Sequence, residues 1–370
     1  MKNKLLIAGA GTGKTNFIIE SVLKLKKDKI IITTFTDNCS NEIRDKIIKN
    51  VGYIPSNIVI KPWFTLLIHD FLEPYKCYYE IGKISGIELE SGSHIKLING
   101  QVFYNKKIKT ENDKIYSSVL SKIIVEINER SKGKIISRLE EEYSYIFIDE
   151  VQDLCGYDLE IIKLILNSKI KLIMVGDPRQ AIYSTHKESK NSKYNSGKID
   201  QYIQDNCKDL CEIDCETLNI CYRCDKNIVE LANAFIGNDY PNLMSDPKHE
   251  IKEHQGVFYI KSNQIEEYVK KYEPKELYIN KRILTKTSKY GKVENKYTFG
   301  QSKGDTYDRV LVYPTNDLIN YLKKNKAISI GQGKNKIYVA LTRAITSLTF
   351  VLDTSNCFNL KNGLENNEKN

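Results

Sequence analysis

Eight residues near the start of the chain, Ala8-Gly9-Ala10-Gly11-Thr12-Gly13-Lys14-Thr15, have the make-up of a phosphate cradle. Small side chains let backbone N–H groups close around phosphate oxygens, and a following helix adds the positive end of its dipole. Lys14 is placed to reach β- and γ-phosphates, and the Thr15 hydroxyl to ligate Mg²⁺. Ala8 stands where the strict pattern has its first glycine, a change small enough to leave the loop open. Ile146-Phe147-Ile148-Asp149-Glu150 is a second such place, with two carboxylates closing an apolar run. Asp149 would hold Mg²⁺, directly or through water, and Glu150 would activate an attacking water. The third is Val175-Gly176-Asp177-Pro178-Arg179-Gln180-Ala181-Ile182-Tyr183, where the Gln180 amide can read a γ-phosphate. Any one of these alone could be a glycine turn or a strand end; together they spell nucleotide hydrolysis.

The cations are unevenly divided. Only eight of 56 are arginine. Arginine fixes a planar fork of donors where lysine offers a point charge, so each arginine here is a candidate for a geometric task. Arg179, Arg223 and Arg343 lie in motifs: the run just quoted, Cys221-Tyr222-Arg223, and Tyr338-Val339-Ala340-Leu341-Thr342-Arg343-Ala344. Arg223 and Arg343 could stabilise transition-state charge; the alternative for each is a surface or helix-capping arginine.

These residues need rigid elements to hold them. Strand signals at Lys4–Ala8, Lys29–Phe35, Asn57–Ile60, Tyr145–Ile148 and Lys171–Val175 alternate with helix signals at Asn16–Leu25, Asn41–Lys49 and around Phe64–Leu72. That alternation predicts an α/β fold with a parallel sheet, and ligands at its strand ends. From Glu73 to about Ser137 the pattern changes to short strand-like pieces at Ile95–Tyr104 and a helix over Ile115–Glu129, the mark of an inserted subdomain. A polar stretch, His186–Lys198, precedes a second half with strands at Gly256–Ile260, Glu276–Ile279, Arg309–Tyr313 and Ser347–Leu352. The tail from Asn356 is rich in Asn and Lys and reads as frayed.

Composition narrows the class. With 370 residues, 41% hydrophobic and 28% charged, the chain can build two or three packed domains. The formal charge of +9 suits a polyanionic partner without demanding one. No apolar run is long enough to span a membrane, and the N-terminal apolar stretch is too short for an export signal. A cytoplasmic protein is expected. Its nine cysteines then read as thiols, five of them crowded between Cys207 and Cys224. Cys221-x-x-Cys224 has ligand-like spacing, yet no second pair or histidine completes a metal set, so cysteine as a small buried hydrophobe is the other reading.

Taken in order, GAGTGKT, TTFTDN at Thr33–Asn38, IDEVQD, GDPRQAIY, the Tyr222-Arg223 pair, QSKG at Gln301–Gly304 and YVALTRA resemble the UvrD/Rep/PcrA-like superfamily 1 DNA helicases over most of the chain. The resemblance implies two RecA-like P-loop NTPase lobes with parallel sheets plus a small inserted subdomain. Residues 1–72 and 138–202 would form lobe 1A, 73–137 subdomain 1B, and 203–370 lobe 2A. It implies ATP and Mg²⁺ as cofactors, bound between lobes by Lys14, Thr15, Asp149, Glu150, Gln180, Arg223 and Arg343, with Tyr222 stacked on the adenine. It implies single-stranded or tailed duplex DNA as partner and 3′→5′ movement. Phe35 would be a base-stacking platform with Thr34 and Thr36 near phosphates, and Trp63, Phe64, Tyr183 and Lys303 further contacts. Trp63 and Phe64 also read as core residues of a strand–helix junction.

Departures from the family pattern sharpen the expectation. Relatives carry a glutamine segment upstream of the phosphate loop that reads adenine, whereas here the loop begins within eight residues of Met1, and Asn16 stands where an arginine often completes the adenine sandwich. Ser184-Thr185-His186-Lys187 replaces the usual Gly-Trp-Arg-Gly, Gly300 an often-found histidine, and Thr306 an often-found glutamate. Arg223 to Gly304 spans only 81 residues, too few for the large 2B insertion. The compact result resembles the small UvrD-like helicases of anti-phage systems such as Gabija, with any nuclease supplied by a separate subunit. A rival expectation is a nucleotide-gated DNA-binding subunit of a larger complex, with little unwinding of its own.

Overall fold

Short apolar runs that end in small or acidic residues become neighbouring parallel strands. The computed structural model describes residues 2–89, 95–98, 101–104, 108–185, 189–237, 240–248, 252–280, 296–324, 332–353 and 360–363. His186, Lys187 and Arg282 lie outside the described residues, as does the tail except 360–363. The chain divides into two compact units. Residues 1–7 and 14–214 form one; Ala8–Gly13 groups with residues 215–370 in the other.

In the first unit the strands run β1 (Lys4–Ile7), β2 (Ile30–Thr34), β3 (Ile58–Pro62), then β4 (Gly86–Glu88), β5 (Ile95–Ile98), β6 (Gln101–Tyr104) and β7 (Lys114–Tyr116), followed by β8 (Tyr145–Ile148), β9 (Lys171–Gly176) and β10 (Glu212–Asp214). Six of them form one parallel sheet in the order β10-β1-β9-β8-β2-β3. All five residues of β2 are buried, as expected for a strand covered on both faces. The register sets the strand ends flush: Ile7 pairs with Gly176, and Ile148 with both Met174 and Thr33. The motif residues that follow those strands therefore leave the sheet along one edge. Residues 203–214 pair with this sheet through β10 beside β1, rather than opening the second.

Helices α1 (Lys14–Lys24), α2 (Asp37–Val51), α3 (Trp63–Leu66), α4 (Ser117–Arg130), α5 (Lys134–Glu142), α6 (Asp158–Leu166) and α7 (Ile199–Asn206) complete the unit. α2 starts four residues before its apolar periodicity, because the Thr36 side chain accepts the Cys39 N–H (3.2 Å) and caps it. It ends at Gly52, whose φ of 85° allows its N–H to reach the Ile48 carbonyl (2.7 Å). α3 widens into a π-helical turn over Leu67–Leu72. α4 begins at Ser117 since Ile115 is taken up by β7, paired with Ile87. The inserted stretch holds a parallel pair, β4 with β7, and an antiparallel hairpin, β5 with β6.

The second unit holds β11 (Ile220–Cys221), β12 (Met244–Ser245), β13 (Gly256–Ile260), β14 (Lys275–Tyr278), β15 (Lys296–Thr298), β16 (Tyr307–Tyr313), β17 (Ala344–Val351) and β18 (Lys361–Asn362). Six of these form a parallel sheet, ordered β15-β14-β16-β17-β13-β18. Alternation in β16 feeds both of its faces. Val310 and Val312 join a core with Phe235, Phe299 and Phe350, while Leu311 and Tyr313 join one with Tyr268 and Tyr278. α8 (Lys226–Ile236), α9 (Ile265–Tyr272) and helices at Asn316–Lys324 and Gln332–Leu341 accompany the sheet. Among the described residues, no helix is long and apolar enough to cross a membrane.

Candidate functional site

The phosphate loop leaves β1 and enters α1, whose first residue is Lys14. Gly11 (φ 73°) and Gly13 (φ 81°) take the left-handed backbone that the tight turn requires and that a side chain would strain. Thr12 Oγ donates to the Gly9 carbonyl (3.0 Å), and Ala8 and Ala10 are fully buried. The Gly11 carbonyl accepts the Tyr222 N–H (2.9 Å), one of the contacts that group Ala8–Gly13 with the second unit.

Across the first sheet's edge, Thr15 Oγ donates to Asp149 Oδ2 (3.1 Å) and the Glu150 N–H to Asp149 Oδ1 (2.9 Å). Burial pushes the Asp149 carboxyl up to about 6, and the neighbouring Glu150 charge adds to it; Lys14 and the Thr15 hydroxyl pull the other way. A hydroxyl and a crowded, desolvated carboxylate beside a second carboxylate make a donor set that a hard divalent cation would relieve. The residues present therefore fit Mg²⁺. Glu150 is half-buried and sits at φ 55°, ψ 38°, a left-handed conformation uncommon for a non-glycine residue. Such backbone persists where surrounding contacts over-determine it, and it concentrates at functional sites.

The run after β9 is built around Asp177, which is fully buried. Its carboxylate accepts Arg179 Nε (2.7 Å) and N–H (3.2 Å) on one oxygen and Gln180 Nε2 (2.8 Å) on the other. Gln180 is thus held beside the same sheet edge as Glu150. Tyr183 stands out of the fold, 44% exposed.

Around the proposed DNA contacts the structure separates surface from core. Phe35 is half-buried and its ring lies 6.1 Å from that of Phe64, tilted by 59°. Thr36 is exposed and Thr34 buried. Trp63 is 1% exposed, and its indole N–H donates to Asp158 (3.0 Å), which also accepts from Ser121 (2.5 Å) and Thr185 (2.5 Å). The stacking surface expected at Trp63 is therefore absent: packing covers the ring and a buried carboxylate satisfies its one polar atom. Phe64, 8% exposed, is buried as well and packs against Phe35.

Within the second unit, Tyr222 is 59% exposed and Arg223 Nη1 donates to the Thr342 carbonyl (3.3 Å). Arg343 is buried, with Nε on the Val339 carbonyl (3.0 Å), Nη1 on the Asp305 carbonyl (3.1 Å) and Nη2 near Thr342 Oγ (3.4 Å). Lys303 follows Ser302, whose hydroxyl donates to the Phe299 carbonyl (2.9 Å), and precedes Gly304 at φ 96°. The crowded cysteines divide between the units, Cys207 and Cys211 in one, Cys215, Cys221 and Cys224 in the other. Among the described residues no three His, Cys, Asp or Glu side chains are grouped to hold a metal.

The Gln152 and Asp177 side chains have no part assigned by sequence reasoning, although both sit beside the carboxylates. The signal was present in the two strand-end runs, which neighbouring strands β8 and β9 bring together.

Residues 1–186 match a family described as an AAA domain, and residues 125–352 the viral superfamily 1 RNA helicase core domain. The chain is 23% identical over 315 residues to a probable DNA helicase II homolog of Mycoplasma capricolum, covering 68% of this chain and 40% of that protein. It is 29% identical over 200 residues to the Gabija protein GajB of Bacillus cereus, covering 49% and 38%. The fold is similar to the crystal structure of an arterivirus nonstructural protein 10, a helicase, with a TM-score of 0.50 at 13% identity over 95% of this chain and 60% of that one. The chain spans about two fifths of the length of these two curated relatives.

Proposed function

We propose that this chain, which belongs to the UvrD/Rep-like superfamily 1 helicases, hydrolyses ATP to move along single-stranded DNA, in the 3′→5′ direction, and to part tailed duplexes. The observation that carries this reading is the convergence of Lys14, Thr15, Asp149 and Glu150 at one edge of the first sheet, after strands β1 and β8 that flank β9, with Thr15 and Asp149 in hydrogen-bond contact. Lys14 and the loop N–H groups hold the phosphates; Thr15 and Asp149 would hold Mg²⁺, which would supply positive charge against the phosphoryl oxygens. Glu150 takes the proton of the attacking water, and Gln180 reports on the γ-phosphate. Arg223 and Arg343 bring guanidinium charge to the phosphoryl group in the catalytic state, and Tyr222 offers a face to the base of the nucleotide.

In this reading residues 1–72 and 138–202 serve as lobe 1A, 73–137 as 1B and 203–370 as 2A, with β10 lent to the first sheet. The DNA path uses Phe35, Thr36, Tyr183 and Lys303, with Phe64 supporting Phe35 from behind. Trp63 and Thr34 are left out because both are buried.

ATP turnover measured with and without nucleic acid tests the reading. Single-stranded DNA should stimulate it strongly and blunt duplex weakly, and the stimulation should fade with salt as counterion release weakens binding. Turnover indifferent to nucleic acid would remove the motor.

Phe35→Ala checks the stacking platform. It should weaken single-stranded DNA binding by about 1–3 kcal/mol, the worth of one base–aromatic stack, while DNA-free turnover stays intact. Equal losses in Tm, DNA-free turnover and binding would instead make Phe35 a packing residue.

A further inference from the structure

Gln152 is 2% exposed and spans the gap between the ends of β8 and β9. Its Oε1 accepts the Asp177 N–H (3.0 Å), and its Nε2 donates to Glu150 Oε2. The amide orientation follows from chemistry. A backbone N–H only donates, so the oxygen must face Asp177 and the NH₂ group the Glu150 carboxylate. The seat is shaped for it. A Cβ on Gly176 would lie 2.5 Å from Gln152 Oε1 and 2.9 Å from Val151 Cγ1, so only glycine lets the amide reach the backbone there. Asp177 in turn holds the Gln180 amide.

We infer that Gln152 is the positioning residue for Glu150, tying its carboxylate to the backbone of the segment that carries Gln180. The inference rests on the reading of Glu150 as the base that activates water. The Gln152 amide, itself fixed on the Asp177 N–H, gives the Glu150 carboxylate a donor that sets the direction it faces. The same bond links Glu150, through Asp177, to Gln180, so a shift of the Gln180 segment is felt at the base.

The test is ATP turnover by the full chain, under multiple- and single-turnover conditions, for five variants. Gln152→Glu keeps the acceptor for the Asp177 N–H but replaces the donor facing Glu150 with a second carboxylate. Gln152→Met removes both bonds. Each should lower kcat by about 10- to 10²-fold with KM for ATP unchanged, as expected for a misdirected catalytic group. Gly176→Ala, which unseats the amide from the other side, should do the same. Glu150→Gln combined with Gln152→Met should be no slower than Glu150→Gln alone, since Gln152 acts only through that carboxylate. Wild-type kcat in Gln152→Glu, or a double variant slower than Glu150→Gln by the full factor of Gln152→Met, would overturn the inference. A Glu150→Gln enzyme at the wild-type rate would instead remove the reading it rests on.

Discussion

Glu150→Gln should bind ATP normally and turn it over about 10²-fold more slowly or worse, because the attacking water would lose its base. The substitution is close to isosteric, and Gln152 can still meet the new side chain by turning its neighbour's amide oxygen toward it. The fold and the phosphate loop are therefore kept. Asp149 is relieved of an adjacent charge that helps to push its carboxyl up, which favours its ionised, cation-holding form. Nucleotide binding should accordingly survive. Measured turnover near the wild-type rate would withdraw Glu150 from the chemistry and leave its left-handed backbone unexplained.

Arg343→Lys should be as inactive as Arg343→Ala, each losing about 10³-fold or more in turnover if the residue acts as an arginine finger. In the structure the guanidinium is held within its own unit, and that setting already depends on its shape. The guanidinium is buried and its fork meets the Val339 and Asp305 carbonyls and the Thr342 hydroxyl in three directions. An ammonium on a flexible stem cannot reproduce that planar set. Both variants should be checked by Tm, since a buried donor set is being removed. Wild-type turnover in the Lys variant would show that the shape of the guanidinium has no use.

The strands that position the site were legible because their signals are local. Tyr145–Ile148 and Gly256–Ile260 match the observed β8 and β13 end to end, each an apolar run closed by small, acidic or polar residues. Lys14, Thr15, Asp149 and Glu150 could be placed at strand ends for the same reason. What escaped depends on partners far along the chain. Whether Trp63 faces solvent or core is decided by Asp158 and Thr185, residues from other elements. The use of Gln152 appears only when β9 brings Asp177 and Gly176 beside it. β10, three residues long and flanked by cysteines and polar residues, has too little pattern to show that 203–214 belong with the first sheet. The start of α2 escaped because it is set by the Thr36 cap rather than by the apolar periodicity of the helix.

The most direct measurement is strand displacement by the purified chain on a duplex with a 3′ single-stranded tail, against the same duplex with a 5′ tail and a blunt control. The account predicts ATP- and Mg²⁺-dependent displacement from the 3′-tailed substrate and little from the other two, with Glu150→Gln inactive on all three. DNA-stimulated ATP turnover with no displacement from any of them would contradict it and assign the chain to nucleotide-gated DNA binding.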